Sequence, residues 1–309
     1  MKNIKYYSAP DIKAPLMVAC WPGMGNVGMG AFDYLRLKLK ARLFAEIDIS
    51  DYAKPDTVVV RKGITSLPKI PNLSLYYTDN PPLIISLGSE QYYGQAGAVV
   101  MDRLLCVAEK FNVKRIITGA AFPTNAAHQD ESVVYAAANT KDALGWLNKD
   151  NGLPIMPEGQ ISGLNGLLLE AARRKGIAAA CLLATLPLYA IGLPNPKASK
   201  AIIETLQNMT GIEIDMTDLD LSIQEINKML ENVEEQLTKL GIDEHRKEYP
   251  PFKAGKEELP KKVLDNIEKL FEEAKRDKRV VHKLKEELDR WDLFKAYEDR
   301  FLDLFRESH

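Results

Sequence analysis

The sequence predicts a three-layer α/β/α sandwich on a mixed β-sheet, followed by a C-terminal helical extension. Three observations carry that expectation. Over residues 10–215, short apolar runs ended by Pro or Gly alternate with helical patterns, as βα units around a buried sheet do. Between residues 50 and 87 the helices drop out. Thr57–Val60, Leu73–Tyr77 and Leu83–Leu87 are strand-like and joined by Gly/Pro turns, so hairpins must interrupt the crossover units. Beyond residue 220 the composition changes: residues 221–309 hold 41 charged residues (22 acidic, 19 basic) against 43 in the first 220. The expected division is a core domain, 1–220, and a charged helical extension, 221–309.

Leu16–Trp21 is an apolar run stopped by Pro22-Gly23 and reads as a buried strand. Met24 to Lys40 carries Val27, Phe32, Leu35 and Leu39 at helical spacing, and Arg42–Ile49 is a second strand. After the helix-free stretch, a helix runs from Gly94 to about Asn112, a strand follows at Arg115–Ala120, and a polar loop reaches Glu131. Val133–Ala138 is strand-like, Lys141–Lys149 and Leu164–Lys175 are helical, and Ile177–Leu186 is a strand. The last helix of the core spans Pro196–Met209, with Pro196 suited to its first turn.

The extension carries two seams. Ile223, Ile226, Leu230, Val233, Leu237 and Leu240 alternate gaps of three and four, with Gly241 placed as a C-cap. Past Pro250, Pro251 and Pro260, a second seam runs Val263, Ile267, Leu270, Ala274, Val281, Leu284, Leu288 and Trp291. Two readings stand: an antiparallel helical hairpin, or an arm for oligomerisation or partner binding.

Composition excludes several functions. With 41 Lys+Arg against 43 Asp+Glu the net charge is −2, and no basic stripe or basic–aromatic interleaving marks a nucleic-acid binder. No apolar run reaches the length of a membrane span, and Met1–Tyr7 is not followed by a secretory apolar region. Three scattered cysteines in apolar stretches (Cys20, Cys106, Cys181) read as reduced core thiols of a cytoplasmic protein. The four histidines lack metal-ligand spacing, so no metal or other cofactor is expected.

Three glycine-rich loops are positioned to line one cleft. Gly23-Met24-Gly25-Asn26-Val27-Gly28 follows a strand, opens a helix, and has Asp48 twenty residues beyond Gly28, which formally meets the dinucleotide fingerprint. A dinucleotide fold needs a crossover helix between its second and third strands, and residues 50–82 offer turns and strands instead. The glycines therefore read first as a tight turn and close helix–sheet packing. In Gly88–Gly94, Glu90 is a helix N-terminal acid or a general base, and Gln91 lies beside it. In Gly159–Gly166, Gly163 and Asn165 sit at a helix entry. His128, the only histidine of the core, lies near Asp130 and Glu131 in the loop 122–131 without a serine or cysteine nucleophile in an elbow context. The candidate cleft is thus Gly23, Gly25, Asn26, Gly28, Glu90, Gln91, His128, Gly163 and Asn165, with no residue assigned as catalytic.

On these same residues the chain resembles the proteasome-assembly-chaperone family, in its bacterial and archaeal branch. The resemblance rests on the Gly23–Gly28 turn, the Gly88 to Gln91 loop, Ile161–Leu169, the Pro194–Ser199 helix entry and Gly211–Asp215, in order over roughly residues 10–240. It implies a fold like the nucleoside-phosphorylase α/β/α sandwich, homo-oligomerisation and a chaperone or proteasome-binding role, with no catalytic residue. Relatives that activate the proteasome end in a hydrophobic–tyrosine–any tripeptide, whereas Glu307-Ser308-His309 is charged and polar, so docking of that kind is not expected. The sequence thus points to a non-enzymatic assembly or scaffold protein, a homo-oligomer with a trimer as leading state, that binds an unidentified protein client. The alternative is a small-molecule- or nucleotide-binding enzyme using the glycine-loop cleft.

Overall fold

The computed structural model describes residues 3–52, 57–68, 72–148, 152–239, 261–276, 280–290 and 297. Its chain forms two compact units, Met1–Phe252 and Lys253–His309.

The first unit is an α/β/α sandwich. Its strands are β1 (Ile4–Tyr6), β2 (Leu16–Cys20), β3 (Arg42–Asp48), β4 (Val59–Arg61), β5 (Ile64–Ser66), β6 (Asn72–Thr78), β7 (Leu83–Gly88), β8 (Arg115–Thr124), β9 (Val134–Ala138) and β10 (Ala178–Pro187). Its helices are α1 (Val27–Lys38), α2 (Gly94–Lys110), α3 (Lys141–Asn148), α4 (Gly163–Arg174), α5 (Pro196–Thr210) and α6 (Thr217–Lys239). Eight strands form one sheet in the order β1-β3-β6-β7-β2-β8-β10-β9, while β4 and β5 pair only with each other. The central strands β7, β2, β8 and β10 are parallel. β1, β3 and β6 continue one side antiparallel and β9 closes the other.

This mixed sheet follows from the helix-free stretch. A crossover between parallel strands needs a dozen or more residues, usually helical. β6 and β7 are joined by a short turn, so they pair antiparallel. Among the described residues of 50–82 there is no helix. Central strands are covered on both faces and therefore read as unbroken apolar runs. Met17, Ala19 and Trp21 face α2 and α4 with Leu104 and Leu168. Val18 and Cys20 face the opposite layer with Phe32, Leu35 and Ile202.

The structure departs from the sequence reading at element edges. Helix α1 starts at Val27 because Gly25 (φ +59°) and Asn26 (φ +49°) turn left-handed, a conformation that breaks a helix. β8 runs four residues beyond Ala120, held by parallel pairing to β10 through Thr124. β1 and β5 carry no pattern beyond three residues and went unpredicted.

Asn195 caps α5, its side-chain oxygen accepting from Ala198 N–H at 2.9 Å with Pro196 at the first helical position. Asn195→Ala is expected to lower stability by about 1 kcal/mol in a denaturant titration, with an unchanged m-value.

The first seam begins on α6. Asp215 receives Thr217 N–H at 3.0 Å and starts the helix. Lys38 on α1 reaches Asp218 at 2.5 Å, and Lys200 on α5 reaches Asp220 at 2.6 Å. The bond to Asp218 pushes the Lys38 ammonium up to about 12, so this tie persists through neutral pH and is lost as pH rises through that value. Asp215 is held below the usual carboxylate range, first by the Thr217 hydroxyl. Its contribution is present at neutral pH and lost as pH falls through the depressed value. In Lys38→Gln/Lys200→Gln, amide exchange in 217–230 is expected to quicken severalfold while the sheet amides stay protected. Ile223, Ile226 and Leu230 face the loop 126–132.

The second unit contains α7 (Lys261–Arg276) and α8 (Val281–Arg290). Ile267, Phe271 and Ala274 pack with Leu284 and Leu288, so the described part of the second seam closes on itself. The side chains of Val233, Leu237 and Val263, and residues Leu240, Gly241, Pro250, Pro251, Pro260, Trp291 and 307–309, lie outside the described residues.

Candidate functional site

Open α/β sheets receive ligands beyond the carboxyl ends of their strands, where neighbouring strands send their chains to opposite faces. β2 and β7 are such neighbours: the chain leaves β2 for α1 in one layer and β7 for α2 in the other. Two of the three glycine loops and the start of the third meet here.

The crevice between them is filled by side chains. Trp21, directly after β2, is fully buried, with its ring on Gly88 so closely that a Cβ there would lie 2.9 Å from the indole Cγ. Asn165, on the first turn of α4, is also buried. Its Oδ1 accepts from Trp21 N–H at 2.9 Å, and its Nδ2 donates to the Trp21 carbonyl at 3.2 Å. The Asn165 carbonyl in turn accepts from the Thr118 hydroxyl at 2.9 Å. Gln91 repeats the device one loop away. Its Nε2 donates to the Pro22 carbonyl at 2.7 Å and its Oε1 accepts from Leu164 N–H at 3.0 Å. That last bond satisfies one of the open N–H groups at the start of α4 from outside the helix. Gly163 is left-handed there (φ +73°), and a Cβ would meet Gln91 Oε1 at 2.8 Å.

The structure therefore brings Gly23, Gln91, Gly163 and Asn165 together; a Cβ on Gly23 would lie 3.9 Å from Asn165 Nδ2. Gly25 turns away: its N–H donates to Ile191 and its carbonyl accepts from Asn195 N–H, both at 2.8 Å. Asn26 N–H closes the turn on Gly23 at 3.0 Å, and Gly28 packs against Gly119 of β8. Glu90 points into solvent. His128 is placed elsewhere, buried in the loop after β8, in a small cavity with Asp130, Thr185, Asn195, Lys197 and Leu230. The Lys197 ammonium donates to the carbonyls of His128 (2.7 Å), Gln129 (3.3 Å) and Asp130 (3.1 Å), which fixes this loop on α5. Among the described residues no group of three His, Cys, Asp or Glu is placed to hold a metal.

The cysteines are free thiols, with Cys20 and Cys181 buried and Cys106 partly exposed. Burial, and then the neighbouring Cys181, pushes the Cys20 thiol far up; burial takes Cys181 to about 12. Neither forms a thiolate at neutral pH, so neither is a nucleophile.

Sequence reasoning missed Trp21 and Thr118. A tryptophan ending an apolar strand reads as core, and nothing local shows that a residue 144 positions away pairs with its backbone. Asn195 was findable, since Asn before Pro at a helix entry is an N-cap pattern.

A family model described as the PAC2 family matches residues 17–234. The fold is similar to that of PbaB from Pyrococcus furiosus, an archaeal proteasome activator (28% identity, TM-score 0.65, covering 76% of this chain and 100% of PbaB). It is also similar to PbaA from the same organism, an archaeal homolog of proteasome-assembly chaperone (22% identity, TM-score 0.60, 78% of this chain and 95% of PbaA). A Methanocaldococcus jannaschii protein described as uncharacterized is 27% identical over 229 residues, covering 72% of this chain and 86% of that protein.

Proposed function

Because this chain belongs to the PAC2 family, we propose that it is a non-enzymatic assembly-chaperone or scaffold protein that holds protein partners as a homo-oligomer. One observation carries this reading. At the sheet end where an α/β enzyme would bind its ligand, the amide groups of Gln91 and Asn165 are bonded to backbone on both their oxygen and nitrogen. A ligand there would have to break the buried bonds of Asn165 to Trp21, at about 1–3 kcal/mol for each group left unpaired, and the half-buried ones of Gln91. The names of the relatives support a proteasome component, or a protein handled with it, as the partner class. Free thiols support a reducing compartment such as the cytoplasm. No helix among the described residues is long and apolar enough to cross a membrane. The oligomer in this reading has closed symmetry, with a trimer as its leading state.

The test has two arms. Pull-down from native extract with mass spectrometry is expected to return the same protein partner in repeated preparations. Thermal scans with nucleotides and inorganic phosphate are expected to leave Tm unmoved. A ligand at a hundred times its Kd adds about 2.7 kcal/mol, so a saturable rise of several degrees with one of them would overturn the non-enzymatic reading.

A further inference from the structure

Where the crevice is closed, the surface around it is apolar. The β4–β5 hairpin stands outside the main sheet, between the end of β3 and the start of β6. Asp48 pairs with Asn72, and Leu73 with Gly88, so the hairpin springs from the same sheet end as the loop after β7. Val60 pairs with Thr65, which puts them on one face; the alternation continues to Val58 and Leu67. Val60 is 61% exposed and Leu67 72%, while Ile64 on the other face is 75% exposed. A lone two-stranded hairpin is marginal in water, and contiguous exposed apolar side chains mark an interaction surface.

A second apolar group lies farther across the same end. Met24 follows β2, Ile191 follows β10, and Leu167 stands on the second turn of α4; all three are exposed. Their segments are tied together, since Gly25 N–H bonds the Ile191 carbonyl at 2.8 Å and Gln91 links Pro22 to Leu164. The two patches also differ in charge. Residues 59–66 of the hairpin carry Arg61 and Lys62 and no acid. The loops beside the second group (22–26, 89–93, 157–162, 188–195) carry Glu90 and Glu158 and no base. Met24, after β2, lies two strand spacings from β6, about 10 Å, and Ile191, after β10, four, about 19 Å, so the patches are separate surfaces of one chain.

We infer that the hairpin 58–67 of one copy seats on the Met24–Leu167–Ile191 rim of a second copy of this chain with both of its faces in the contact, Val60 and Leu67 on one and Arg61 and Ile64 on the other, Arg61 and Lys62 reaching Glu90 and Glu158. The inference rests on the homo-oligomer reading and names its contact. Because hairpin and rim are different patches, the contact is head-to-tail, a geometry that gives a ring where its rotation closes and a filament where it does not.

Light scattering on the full chain at micromolar concentration separates the outcomes. Unaltered protein is expected as a multimer, and Val60→Asp/Leu67→Asp and Met24→Asp/Ile191→Asp each as the 34.6 kDa species. Mixing the two variants is expected to restore a species of twice that mass, since each keeps one intact half of the contact. Charge reversal gives a test independent of core burial. Arg61→Glu/Lys62→Glu should dissociate the multimer, and Glu90→Lys/Glu158→Lys in the same chain should restore it. A multimer whose mass neither the hairpin nor the charge variants change would overturn this contact and leave the homo-oligomer reading intact. Unaltered protein running only at 34.6 kDa would overturn both.

Discussion

Gly28→Ala is expected to lower the melting temperature by about 6–12 °C and to reduce the yield of soluble protein. A Cβ at Gly28 would lie 2.5 Å from Cys20 Sγ and 2.7 Å from the carbonyl carbon of Gly119, and closer still to that carbonyl's oxygen. Gly119 is fixed in β8, hydrogen-bonded between β2 and β10, so the strand cannot yield. Helix α1 must retreat instead, uncovering Phe32 and Leu35. Overpacking of this kind costs about 1–3 kcal/mol and more when backbone moves; near the upper end, Tm falls by about 6–12 °C. Gly145→Ala in α3 is the matched control. Nothing lies within 4 Å of its Cβ position, and Ala there gains up to about 1 kcal/mol of helix propensity. Soluble yield and thermal melts of the two variants check the prediction; equal melting temperatures would refute it.

Asn165→Leu is expected to cost at least as much. It leaves the Trp21 N–H and carbonyl buried without their partners, at about 1–3 kcal/mol each. A loss of about 2–6 kcal/mol by denaturant titration is expected, with faster amide exchange in 22–26 and 89–93. Asn165→Asp gives a pH signature. A protonated carboxyl can replace both amide bonds, whereas the ionised form faces the Trp21 carbonyl with no donor. Burial and that carbonyl raise the introduced group above its unfolded value of about 4. Stability of this variant therefore declines as pH rises from about 4 through the folded value, then levels off. A flat pH profile would show that the Trp21 bonds contribute little.

Much of this architecture was legible because short-range patterns dictate it. The helix-free stretch forced antiparallel pairing beside crossover units, and Leu16–Cys20 revealed a strand buried on both faces by its lack of alternation. The edge strand β1 was not legible, since three residues with one exposed centre carry no period. Of the nine candidate cleft residues, Gly23, Gln91, Gly163 and Asn165 do meet. Nothing in their spacing shows that Asn165 and Gln91 point inward and close the crevice. That depends on register between segments 69 and 144 residues apart. His128 was grouped with them on chemistry alone, and the extension of β8 carries it toward α5 and α6 instead. In the described part of the second seam, Ile267, Ala274, Leu284 and Leu288 are buried on helices, and Phe271, the largest buried residue there, falls outside the chosen spacing.

The central position of β2 sets an order of events during synthesis. β3, β6 and β7 are joined by antiparallel neighbours and need only local chain to pair. β2 precedes them all, yet its second neighbour, β8, comes about 100 residues later; Cys20 meets Gly119 across 99 positions. At roughly 5–20 residues per second, the ribosome releases β2 about 5–20 s before β8 exists. During that interval one edge of a fully apolar strand has no partner, a state open to wrong pairing with other nascent chains. A family linked by name to chaperones thus contains a member whose own central strand, β2, is exposed to the hazard that chaperones manage, and pulse-labelled nascent chains ending before Arg115 are where that exposure would register.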